Sequence, residues 1–334
     1  MTGTLTSTNS STTPHVDASP VLELSDRERS VLSSQALELA QTPPALVDHP
    51  DWLAGARRMS SELPTRVLEV VRRFRHDAGL DGTLTLFNLP VDQGKLPPTP
   101  DVPNSVERES TVPAAITMML ATQLGEVIAY RNEKHGALVQ NVVPVPALAD
   151  SQSNGGSVTL EFHTENAFHP HRPDYVGLLC LRPSHEEAVS TYVASVRKAL
   201  PLLSPGEREI LHEPRFVTAA PPSFRTAGHA GPHALLNGSV EDPNIRVDFH
   251  ATSALDTAAA AAMCRLREAL MEIRNDLVLR PGDMVFLDNR IVVHGRGAFV
   301  PRYDGNDRWL HRVFVHLDNR RNRAHRVNGG AVLA

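Results

Sequence analysis

The stretch FHTENAFHPHRP, residues 162–173, places three histidines and a glutamate within nine residues. Its reading turns on backbone period. The preceding residues SVTLEFHT, 157–164, alternate in the way a strand end does, and alternation sets His163 and Glu165 on one side. Two such side chains can point at one metal ion. A third ligand then has to come from elsewhere, and His294 fits, because it ends VFLDNRIVVHG (285–295), another strand-and-turn run. Two histidines and a carboxylate form the facial triad of non-heme Fe(II) sites, which leaves three octahedral positions open. Taken alone, H-x-E is common by chance and is equally a hydrogen-bonded pair at a strand end. His169 and His171 flank Pro170 in a loop-like setting, where roles beside the metal or at the surface are expected.

Working outward, the 334 residues are 41% hydrophobic, enough for a sizeable core. No 18-residue apolar run marks a membrane span. The net charge of −5 argues against a nucleic-acid binder. Cys180 and Cys264 lie far apart in apolar surroundings and are expected as buried thiols. No signal-like leader is present, so a cytoplasmic protein without an obligate protein partner is expected.

Residues 1–20 are Ser/Thr-rich and are expected as a flexible tail, with 21–334 as a single domain. Ser25 and Glu28 predict a capping box for a helix through about Ala40. Further helices are expected over 51–59, over 67–79 with Gly79 as C-cap, and over 111–124. Then the period changes to that of strands: 83–90, 137–146, 157–166, 175–183, 245–249, two runs within 277–295, and 309–318. Residues 191–200 suit strand or helix equally. An Ala-rich helix is inserted late, over 255–274, and 217–235 reads either as a lid or as an ordered surface connection. No βαβ repeat or glycine-rich phosphate loop appears. The expected fold is mostly β with helical additions, built on a double-stranded β-helix (jelly-roll, cupin-like) core.

Arg308 and Arg312 follow His294 in DRWLHRVF, four apart and so on one face of a helix or strand. Arginine suits carboxylates because its planar donors bind both oxygens, although each is as readily a surface ion-pair residue. A 2-oxoglutarate co-substrate would need such a cation for its distal carboxylate.

Several stretches together carry a resemblance: GTLTLFNLPVD (82–92), NEKHGALVQNVVPVP (132–146), FHTENAFHPHRPDYVGLLCLRP (162–183), PNIRVDFHAT (243–252) and VVHGRGAFVPRYDGNDRWLHRVFV (292–315). Over most of its length the chain resembles the clavaminate synthase-like Fe(II)/2-oxoglutarate oxygenases, and within them the bacterial hydroxylases of free L-amino acids, including asparagine 3-hydroxylases. The resemblance implies His163, Glu165 and His294 as iron ligands. It implies Arg308, with Thr191 as hydroxyl donor, for 2-oxoglutarate. Arg312 is implied for the substrate carboxylate, Glu133 and Asn154 for its backbone end, and Asp248 for its side chain, with Glu165 bordering the substrate as well as the iron. Thr164, His135 and Asn141 depart from the asparagine pattern, which bears on the preferred side chain. The implied reaction takes O2 and 2-oxoglutarate, releases succinate and CO2, and hydroxylates Cβ of a free L-amino acid, asparagine first and arginine as the alternative. The same ligand set also suits a zinc amide hydrolase or a non-catalytic, metal-stabilised binding domain.

Overall fold

The computed structural model describes residues 19–334 apart from 186–188, 222–223 and 225–230. Most of the expected tail, and the middle of the expected lid, lie outside the described residues. From the N-terminus come β1 (Val21–Glu23), α1 (Asp26–Gln41), α2 (Pro50–Ser60), α3 (Thr65–His76), β2 (Thr83–Phe87), β3 (Val106–Glu107), α4 (Val112–Leu124), β4 (Glu126–Tyr130) and β5 (Val139–Val142). Next are β6 (Leu160–His163), β7 (Tyr175–Arg182), β8 (Thr191–Ser195), α5 (Val196–Ala199), α6 (Pro205–Leu211), β9 (Phe216–Thr218), β10 (Leu236–Gly238) and β11 (Pro243–Ile245). The chain continues through β12 (Thr252–Ala254), α7 (Thr257–Glu272), β13 (Asn275–Leu277), β14 (Met284–Asp288), β15 (Val292–Arg296), β16 (Trp309–His316) and β17 (Val332–Leu333).

The strands form a nine-stranded sheet, centred on β14-β7-β16, and a four-stranded sheet in the order β13-β8-β15-β6, with two small hairpin-like pairs. Helix and strand contribute comparable numbers of described residues, so the fold is mixed rather than mostly β, and no closed barrel is seen among the described residues. The reason lies in the first 125 residues: four amphipathic or apolar helices cover one face of the large sheet. Helix α4 is apolar on nearly every side and lies at the centre of that layer, against α1, α2 and β16. Trp52 of α2 is fully buried there, and its indole N–H donates to the Leu39 carbonyl at 2.9 Å.

Several local expectations hold. Ser25 and Glu28 form a reciprocal capping box at α1. Residues 191–200 satisfy both readings, strand to Ser195 and helix from Val196, with the Ser195 hydroxyl accepting from the Arg197 N–H at the junction. Others are corrected. Helix α3 ends at His76, and Gly79 is a turn glycine at φ +73°, held by Asp77 Oδ1, instead of a C-cap. Only Ile245 of IRVDF is in a strand; the remainder runs irregularly beside β6, with Thr164 N–H donating to Val247 O. Cys180 is buried, but Cys264 is exposed, because the buried stripe of α7 is Ala259, Ala262, Leu266, Ala269 and Leu270 and residue 264 falls off it. No described helix is long and apolar enough to cross a membrane.

Candidate metal centre and substrate cavity

Strand register brings the opening motif to its distant partner. β6 and β15 pair antiparallel with His163 opposite His294, so their rings lie tilted against each other at 4.3 Å between centroids. The chain leaves β6 at Thr164, whose hydroxyl turns away to donate to the Val247 carbonyl at 3.1 Å, and Glu165 swings in behind it. Asn289 fixes that turn: its Oδ1 accepts the Glu165 N–H at 2.7 Å, and its Nδ2 donates to the carbonyls of Glu165 and Pro173. Sequence reasoning missed Asn289, which sits in the β14–β15 turn and carries no motif.

One ligand atom from each of His163, Glu165 and His294 lies within 4.8 Å of the others. Their protonation states suit a cation. His163 Nδ1 is 2.9 Å from the Glu161 carbonyl, which can only accept, so Nδ1 donates there and Nε2 is the nitrogen left for a metal. Burial, and then the neighbouring His163, push His294 down to about 4, so it is a neutral donor at pH 7. Its Nδ1 is buried without a partner. Burial opposes charge on Glu165, yet the Arg312 guanidinium, followed by His294, holds its carboxyl at about 2. Two imidazoles and an anionic carboxylate are a donor set that Fe(II) accepts.

Arg312 organises the next layer. Its Nη1 donates to Glu165 Oε1 at 2.7 Å, its Nη2 to Glu133 Oε1 at 2.5 Å, and its Nε to Gln140 Oε1 at 3.1 Å. Glu133 is raised, first by burial and then by the like charge of Glu165, with Arg312 pulling the other way. It reaches this position where the chain turns through three consecutive positive-φ residues, Lys134, His135 and Gly136. Lys134 is itself buried and pushed down to about 7, mainly by that burial and then by Arg312.

Arg308, also on β16, is buried and meets Thr191 Oγ1 at 3.2 Å through Nη2. No described carboxylate pairs with it, and burial lowers its pKa. Arg296 lies alongside on β15, buried, with its Nε unpartnered and one Nη donating to the Val158 carbonyl. Two buried guanidiniums without a carboxylate make an anion subsite. Sequence reasoning missed Arg296, two residues after His294 and so on the same strand face.

All nine residues singled out from the sequence line one cavity of ≈ 180 Å³. Asn154 is on its wall. Asp248 lines it too, while its Oδ1 accepts from the backbone N–H groups of His250 and Ala251 in a tight turn. His169 and His171 are outside: His169 packs edge-on against Tyr130, and His171 stacks on His325.

The family model for the taurine catabolism dioxygenase TauD, TfdA family matches residues 114–314. L-asparagine oxygenase of Streptomyces coelicolor is 44% identical over 313 residues, 93% of each chain. The crystal structure of an asparagine oxygenase with Fe(II), 2S,3S-3-hydroxyasparagine and succinate superimposes with a TM-score of 0.92 at 43% identity, covering 94% of this chain and 98% of that one. The non-heme iron oxygenase OrfP with Fe and alpha-ketoglutaric acid gives a TM-score of 0.86 at 32% identity, covering 95% and 100%.

Proposed function

This chain belongs to the taurine catabolism dioxygenase TauD, TfdA family, and from that premise we propose that it hydroxylates free L-asparagine at Cβ. The single observation that carries the reading is Arg308: a buried guanidinium without a carboxylate partner among the described residues, lining the same cavity as the triad. Fe(II), 2-oxoglutarate and O2 supply the oxidant that replaces a C–H hydrogen by hydroxyl, with succinate and CO2 as co-products. The protein's part is placement. His163, Glu165 and His294 hold the ion on one side of the cavity. Arg308, with Thr191 beside it, takes the distal carboxylate of 2-oxoglutarate. Glu133 receives the substrate ammonium, Arg312 its carboxylate, and Asn154 adds a hydrogen bond at the same end. Holding that end fixes which C–H bond faces the ion, so small displacements change rate and position of attack.

Asp248 is the proposed side-chain reader. One oxygen is occupied by its own turn, and the other oxygen is proposed to accept from the substrate amide. A carboxylate in this place also suits a cationic side chain, which keeps arginine as the second reading; OrfP, at 32% identity, has been solved with (3S)-hydroxy-L-Arg. The two main sheets are read as the faces of a double-stranded β-helix, with 21–334 as one oxygenase domain. The reading includes a cytoplasmic location and no nucleic-acid, membrane or obligate protein partner.

The test is anaerobic loading with Fe(II) and 2-oxoglutarate, then O2, against Asn, Asp, Gln, Arg, Lys and His, with product mass and position measured. Asparagine is expected to gain one oxygen at Cβ with stoichiometric succinate. Oxygen-independent deamidation with Zn(II) would support the hydrolase instead, and binding without turnover a binding domain. Asp248→Asn is expected to change the order of preference within the panel while leaving Fe(II) affinity unchanged; an unaltered order removes Asp248 from the assignment.

A further inference from the structure

β16 has a second face. Along an extended strand alternate side chains point oppositely, and while Arg308, Leu310 and Arg312 line the metal-site cavity, Trp309 and His311 line another. This second cavity is ≈ 800 Å³, lies between α1, residues 90–97 and the start of α4, and shares no lining residue with the first. Its size falls within the range of small-molecule sites, roughly 300–1,000 Å³.

Its floor holds an unsatisfied polar group. His311 is 1% exposed, and neither ring nitrogen has a hydrogen-bond partner. Leaving such a buried group unpaired is costly. Glu107 Oε1 lies 3.6 Å from His311 Nε2, within ion-pair distance but longer than a hydrogen bond, and accepts from Asn141 Nδ2 at 3.1 Å. Burial opposes charge on Glu107, but His311, followed by Asn141 and Thr111, holds the carboxyl below the usual range, so it is anionic at neutral pH. Leu96, Pro113, Leu181 and the indole of Trp309 supply apolar wall, and the same cavity is also lined by Asp26, Arg29, Asp92 and Lys95. An ammonium has three donors and no acceptor, which matches the Glu107 carboxylate with the His311 ring beside it, and an indole face also attracts cations.

We propose that this cavity is a second ligand site, separate from the metal centre, for a small organic amine with an apolar body. The ammonium sits between Glu107 and His311, and the body lies along Trp309 and Leu181. The site is independent of which amino acid the metal centre hydroxylates.

Trp309 supplies the readout, since the other of the chain's two tryptophans, Trp52, is fully buried in the helical layer. The Fe(II)-loaded full chain is titrated with phenethylamine, and with phenylacetate and 2-phenylethanol as anionic and neutral matches, following tryptophan fluorescence. A saturable change with phenethylamine is expected, at least about tenfold tighter than with either match. Glu107→Gln should weaken it by about tenfold, and Ser33→Phe, which fills the cavity from α1 without touching its floor, should abolish it. His163→Ala should leave it unchanged, placing the amine outside the metal site. No saturable change with any probe, an equal response to all three, or a response surviving Ser33→Phe would each overturn the proposal. If Glu107→Gln fails to fold, Ser33→Phe carries the test.

Discussion

Arg308 and Arg312 are four residues apart on one strand face, yet their surroundings differ completely. Arg312 is surrounded by Glu165, Glu133 and Gln140, so two carboxylates balance its charge. Arg308 meets a threonine hydroxyl and no described carboxylate. A guanidinium in that state pays for its burial only when an anion arrives, which is why the proposed 2-oxoglutarate contact belongs to Arg308. Replacing it tests the point. Arg308→Leu is expected to raise the KM for 2-oxoglutarate about tenfold to a hundredfold, the worth of a buried charged hydrogen bond. Fe(II) affinity, followed by titration without oxygen, should stay near wild type, because no triad residue touches Arg308. An unchanged KM would move the anion subsite elsewhere.

At the scale of the element, the triad depends on β15 lying tightly between β8 and β6. Gly295, next to His294, makes that approach possible: a Cβ there would meet Tyr192 Cε2 at 2.3 Å and the Leu160 carbonyl oxygen at 2.6 Å. Tyr192 cannot simply move aside, since its hydroxyl donates within a pocket formed by the Leu160 and Arg296 carbonyls, 2.9 Å from each. Gly295→Ala is therefore expected to push β6 from β15, cost about 1–3 kcal/mol in urea denaturation, and weaken Fe(II) binding by separating His163 from His294. Gly206→Ala in α6, where a Cβ meets nothing within 4 Å, is the matched control and should stay within about 0.5 kcal/mol of wild type.

For the whole molecule, acid sensitivity follows from histidines buried in neutral form. Burial and then His171 bring His169 to about 4; burial and then Arg321 bring His316 to about 4. His316 is held by Asn322 at Nδ1, with the His171 and Arg172 carbonyls at Nε2. Both pKa values lie below the ordinary value of 6.5, so the unfolded chain binds these protons first. The stability they protect is complete above about pH 6.5 and is lost as the pH falls toward 4. The urea midpoint should drop over that window, and His316→Asn should give a shallower drop whatever its stability at pH 7. Identical slopes would mean that His316 does not carry the effect.

The chain's own order of residues determined the periods, and with them most of the elements: the capping box of α1, the long strands β7 and β16, and the strand that ends at His163. It also carried enough distributed identity to mark His294, Arg308 and Arg312 before any geometry was known. What it did not determine lies across strands rather than along them. The opposition of His163 and His294 comes from β6–β15 register, Asn289 acts from a turn 124 residues away from Glu165, and Arg296 acquires meaning only because β15 lies beside Arg308. The overestimate of β content has the same origin. Local periodicity finds helices and strands one at a time, but the weight of the N-terminal helical layer appears only when α4 is seen buried against the large sheet. Hydrogen bonding between neighbours in sequence is written into local pattern; burial, register and unpaired charge are properties of residues that meet only once the chain is folded.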